Sequence, residues 1–113
     1  MATITFTSTG GITITGAMSG ASFTATSSRK VKKDINPCLL SALDIINSTD
    51  IVNFKFINDD ENTQHVGFIA EDTDPLLSTS HMNSMDYTNC IGILMKAVQE
   101  LSKRVEELEK KKE

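Results

Sequence analysis

Apolar positions recur along this chain with two periods, and each predicts its own kind of element. Over residues 1–26 the β-formers alternate with threonine, Ile4 and Phe6 and then Ile12 and Ile14, with Gly10-Gly11 between them. A period of two belongs to strands with one apolar face, so two short strands joined at the glycines are predicted. Leu39, Leu40, Leu43 and Ile46 then recur at helical spacing behind Asn36-Pro37, a cap followed by proline at the first helical position, and predict a helix over 37–47. Residues 51–57, IVNFKFI, alternate again. After the polar stretch 58–62 the segment HVGFIA supplies a second strand, making 51–70 a hairpin with Phe54, Phe56 and Phe68 in its core. Behind Asp86, a suitable N-cap, Ile91, Leu94, Val98, Leu101, Val105 and Leu108 step by 3, 4, 3, 4 and 3, an unbroken a/d seam along a helix over 86–111.

The seam suits a stripe packed within one chain and also a coiled coil between chains. The coiled coil is favoured because the helix is terminal, its far end has narrow apolar coverage, and little core remains elsewhere to cover it. Arg104 at g and Glu109 at the next e are placed to pair between parallel chains. β-branched residues at a with leucine at d lean towards a dimer, which leaves the oligomer number open at this point. The leader 1–26 is too sparse in apolar residues to bury a core alone. Such a segment is either disordered or one chain's share of an intertwined β-structure, and its kept alternation favours the second, the end of a longer fibre.

Composition narrows the classes. Of 113 residues, the charged and low-complexity ends leave about 60 to 70 for a compact core, small for an independent enzyme. Fifteen acidic against eleven basic residues, a formal charge of −4, argue against a nucleic-acid partner. No run of apolar residues is long enough to span a bilayer and no signal-peptide stretch opens the chain, so no membrane partner is expected. Cys38 and Cys90 lack CxxC spacing and a neighbouring histidine cluster, and both read as small buried hydrophobes suited to a reducing cytosol. Glu71, Asp72 and Asp74 before Pro75 read as a solvated helix start, and neither a metal nor another cofactor is expected. No glycine-rich phosphate loop is present.

At residue 27 the chain changes abruptly to Ser27-Ser28-Arg29-Lys30-Val31-Lys32-Lys33-Asp34-Ile35. Ser27 and Lys32 form the one candidate catalytic pair. A serine hydroxyl becomes nucleophilic when a base takes its proton, and a lysine serves when desolvation or neighbouring cations favour its neutral form. Arg29, Lys30 and Lys33 supply such cations. The spacing alone is equally that of a solvated basic strand. His65 reads as an edge or interface hydrogen-bonding group, with a supporting catalytic role as the alternative. Gly67 permits close backbone approach.

Four stretches in order, Ser27 to Ile35, His65 to Asp72, Asp86-Tyr87, and the Leu94-Met95-Lys96-Ala97-Val98-Gln99-Glu100-Leu101 segment, resemble the successive signatures of the peptidase S74 family. That family comprises the intramolecular chaperone domains of phage endosialidases, neck appendages and tail fibres, with a relative in the myelin regulatory factors. The resemblance runs from about 27 to 108. It implies an α+β homotrimer: an intertwined β-helix or prism stalk over 1–26 and a chaperone and autoprotease domain over 27–113. Ser27 and Lys32 would cut the Ser27-Ser28 bond once, with Arg29 in support and no turnover on external substrates. The partners implied are the chain itself and the upstream fibre of the same polypeptide. The setting implied is the bacterial host cytoplasm during assembly, with the fibre going to the virion tail and the chaperone released. Many members carry aspartate where Ser28 stands here. An uncut trimerisation tip and a receptor-binding tip are the alternatives, and a single tyrosine with no tryptophan disfavours the latter.

Overall fold

The computed structural model describes residues 2–79 and 82–112. The described chain is a small α+β protein with two two-stranded sheets and two helices, divided into the compact units Met1–Ile35 and Asn36–Glu113.

In the first unit, β1 (Thr3–Phe6) pairs antiparallel with β2 (Ile12–Thr15), placing Ile4 opposite Ile14 and Phe6 opposite Ile12. Threonines occupy the other face, where the Thr3 and Thr15 hydroxyls lie 2.6 Å apart. The turn is closed by Thr7: its N–H donates to the Gly11 carbonyl at 2.8 Å and its Oγ1 accepts the Gly11 N–H at 2.8 Å. Gly10 takes φ +87°, the left-handed region where a side chain is strained. Ile4, Phe6 and Ile12 stay exposed, so this hairpin has an apolar stripe and nothing of its own to set against it.

The second unit packs α1 (Ala42–Asn47) on α2 (Tyr87–Lys111). Its core is Ala42, Leu43, Ile45, Leu77, Cys90, Ile93 and Ala97, with Ile46 and Phe68 against it. The spacing predicts a helix from 37, but α1 starts five residues later, and Leu39 is almost fully exposed. The capping donors decide this. Ser41 Oγ accepts the Asp44 N–H at 3.3 Å, and the Glu100 carboxylate accepts the N–H groups of Ala42 at 2.8 Å and Leu43 at 3.3 Å. With those orphan donors satisfied at 42–44, Asn36-Pro37 lies in the coil ahead of the helix.

The second sheet is a short hairpin of β3 (Val52–Phe54) and β4 (His65–Gly67), with Phe54 opposite His65 and Val52 opposite Gly67. Asp59 organises the connection, its carboxylate accepting the N–H groups of Glu61 at 3.0 Å and Thr63 at 2.9 Å. The chain turns at Phe56, whose carbonyl accepts the Asp59 N–H. Phe56 therefore leaves the strand and is exposed, whereas Phe54 and Phe68 are half-buried. The expected helical turn after Glu71 is two 3₁₀ turns, Ala70–Asp72 and Pro75–Leu77, the second capped by Asp74. Among the described residues no group of His, Cys, Asp and Glu is disposed to hold a metal, and no helix is long and apolar enough to cross a membrane.

Asp86 caps α2, its Oδ1 accepting the Asn89 N–H at 3.0 Å and the Thr88 hydroxyl at 2.9 Å. These bonds hold the Asp86 carboxyl below its usual range, and the Ala42 N–H does the same for Glu100, against a smaller opposing effect of burial. A carboxylate with a depressed folded value contributes stability that is present above its unfolded value and lost as pH falls through the folded one. Thermal stability should accordingly hold above about pH 5 and fall below about pH 4. Melting curves of E100Q and D86N should show lower stability at neutral pH and a shallower acid limb, and an acid limb identical to the parent's would exclude these two groups.

The two cysteines differ. Cys90 is buried with its Sγ 3.5 Å from the Leu77 carbonyl, and burial, aided by the Asp86 charge, pushes its thiol up. Cys38 lies in the exposed coil before α1, so burial of both cysteines does not hold. Thiol labelling of the native protein should modify Cys38 quickly and Cys90 only on unfolding. Equal rates at the two would contradict the packing of α2 on Leu77.

Candidate functional site

The segment after the leader doubles back on itself within a few residues. Arg29–Val31 form one 3₁₀ turn, with the Val31 N–H donating to the Ser28 carbonyl at 3.1 Å and the Lys32 N–H to the Arg29 carbonyl at 3.3 Å. Ser28 is its N-cap, Oγ accepting the Lys30 N–H at 3.2 Å. The chain is extended at Ser28 and again at Lys32, so the turn folds the later residue over the earlier one. Lys32 Nζ donates to Ser27 Oγ at 2.6 Å. Ser27, Ser28, Arg29 and Lys32 are all exposed in the single chain. Among the described residues of this unit none covers the pair.

Serine and aspartate are both good N-caps, because each offers a short side-chain oxygen to the backbone N–H groups of the first turn. Ser28 fills that role here.

His65 belongs to the other unit. Its ring stacks on Phe54 at 5.4 Å and meets Phe56 edge-on at 4.9 Å, and Gly67 leaves room for Phe54, whose ring would lie 3.2 Å from an added Cβ. This is an aromatic packing role on the inner face of the hairpin.

The two faces of α2 differ in use. Cys90, Ile93 and Ala97 point into the core, whereas Ile91, Leu94, Val98, Leu101, Val105 and Leu108 are each half or more exposed. Beyond Glu100 no residue of α2 through Lys111 is buried. Glu100 sits at the boundary and joins this helix to the start of α1 across 58 positions of sequence. No local pattern in the sequence announces such a contact.

Residues 27–79 match the peptidase S74 family, described as the chaperone of endosialidase. The match opens on Ser27 and takes in the stretch through Ile35 and the His65 to Asp72 stretch, leaving Asp86-Tyr87 and the α2 motif outside it. No curated protein and no solved structure matches the chain. The family match thus covers residues 27–79, just under half of the chain, and is a match to the chaperone-of-endosialidase domain of peptidase S74 over that part.

Proposed function

We infer that the protein is the intramolecular chaperone of a phage tail spike or fibre: it gathers three copies through α2, sets their leaders in register, and is then released by self-cleavage of the Ser27-Ser28 bond. The observation carrying this reading is the 2.6 Å contact of Lys32 Nζ with Ser27 Oγ at the start of the family match. Assembly is supported by the outward a/d seam, since the core-facing stripe of α2 uses other residues and leaves the seam unpartnered in one chain. The uncovered apolar stripe of the β1–β2 hairpin supports the leader's share in an intertwined stalk, where other chains supply the missing face. Intertwined folds form slowly because their closure entropy precedes any contact. Holding three leaders together makes encounter local, at about millimolar effective concentration.

The chemistry ties cleavage to assembly. Ser27 Oγ can reach its own carbonyl carbon only through a four-membered ring, so an oxygen from elsewhere must attack there. Ser27 of a second copy supplies it. The Lys32 amine takes the hydroxyl proton, Oγ bonds to the carbonyl carbon, and the Ser28 nitrogen leaves with the proton that Lys32 returns. Water then hydrolyses the ester. A lysine acts as such a base only where water is kept from it, and the exposed pair gains that cover when neighbouring chains close over it. Cleavage thus reports completed assembly and leaves the fibre kinetically trapped.

S27A and K32A should each abolish appearance of fragments 1–27 and 28–113 on denaturing gels. In mixed assemblies with wild-type chains, S27A chains should be cut. Continued processing of either homogeneous variant at the same bond would refute the dyad. The exposure of the pair favours one other reading, a trimerisation tip that is never cut. An intact chain mass in the assembled, purified protein would select it.

A further inference from the structure

Five residues of extended chain span about 17 Å, far beyond the reach of a lysine side chain. The contact between Lys32 and Ser27 therefore exists only while the Arg29–Val31 turn is formed. None of its residues is buried, its two backbone hydrogen bonds are 3.1 and 3.3 Å, and 3₁₀ bonds are poorly aligned in general. The third bond comes from a side chain, Ser28 Oγ, which accepts the Lys30 N–H at 3.2 Å, a donor that the start of a turn otherwise leaves to water.

We propose that Ser28 is a positioning residue for self-cleavage, its side-chain oxygen holding the turn that keeps Lys32 Nζ on Ser27 Oγ. This rests on the dyad reading and adds to it a role for the side chain beyond the bond that is cut. Ser28 contributes its nitrogen as leaving group whatever its side chain, so a side-chain effect on rate reports the turn. An N-cap oxygen changes the population of such a turn by about fivefold. Aspartate and asparagine cap as well as serine, whereas alanine does not.

The test is the cleavage rate of the full chain, with oligomer mass followed in parallel. S28A should be cut about fivefold more slowly than the parent at unchanged oligomer mass, and S28N and S28D should recover the rate to within about twofold. Cleavage of S28A at the parental rate, or S28N and S28D as slow as S28A, overturns the proposal and leaves the dyad intact. Continued cutting of S27A overturns the dyad instead. An assembled parent that stays intact overturns the dyad reading and this proposal with it.

Discussion

Lysine in place of Leu101 should turn the assembly into single subunits and leave the Ser27-Ser28 bond uncut. Leu101 is half exposed in the single chain and belongs to the outward seam, so the substitution costs a lone subunit little. In a parallel coiled coil the same position is central. Burying a leucine there is worth about 1.5–3 kcal/mol per chain, and each lysine would have to bury an unpaired charge against two others. Sedimentation and native mass should show single subunits at micromolar concentration. Cys90 should stay protected, because Cys90, Ile93 and Ala97 are on the other face of α2. Cleavage of L101K single subunits at the parental rate would separate proteolysis from assembly and contradict the intermolecular attack. Persistence of the parental oligomer would remove the seam from the assembly.

Truncation of Ile93 to alanine should unfold the second unit rather than dissociate it. Ile93 is 8% exposed and sits among Ala42, Leu43, Leu77, Cys90 and Ala97. Removing its methyl and methylene groups from a packed core costs about 2–5 kcal/mol. A domain with so few buried side chains has about that much stability in total. Loss of the cooperative melting transition and rapid labelling of Cys90 are the expected results. I91A, two residues earlier and mostly exposed, should instead leave the fold of the subunit intact and weaken association. If I93A and I91A behave alike, α2 does not have the two faces described.

Much of the local structure was legible because it is encoded in short repeats. Alternation in Ile4, Phe6, Ile12 and Ile14 and the glycines between them are enough for a hairpin, since strand period and turn geometry are properties of neighbouring residues. The same holds for the long helix behind Asp86 and for the pairing of β3 with β4. Where helices begin was not legible in one case. Leu39 and Leu40 keep helical spacing with Leu43, yet α1 starts at Ala42 because Ser41 and the distant Glu100 accept its first N–H groups. Phe56 alternates faithfully with Phe54, yet the Asp59 turn takes it out of the strand.

The candidate site divides in the same way. By itself the sequence determined that a serine and a lysine stand five positions apart in a basic segment at a change of composition, and that α2 carries an unbroken heptad stripe. Only the tertiary structure decided that Lys32 meets Ser27 and that His65 packs against two phenylalanine rings. It alone decided that α2 turns Cys90, Ile93 and Ala97 to its own core while the heptad stripe faces outward. Periodicity states which residues share a face, because that follows from the pitch of the backbone. Which face meets which neighbour depends on contacts between residues far apart in the chain, and no local pitch carries that information.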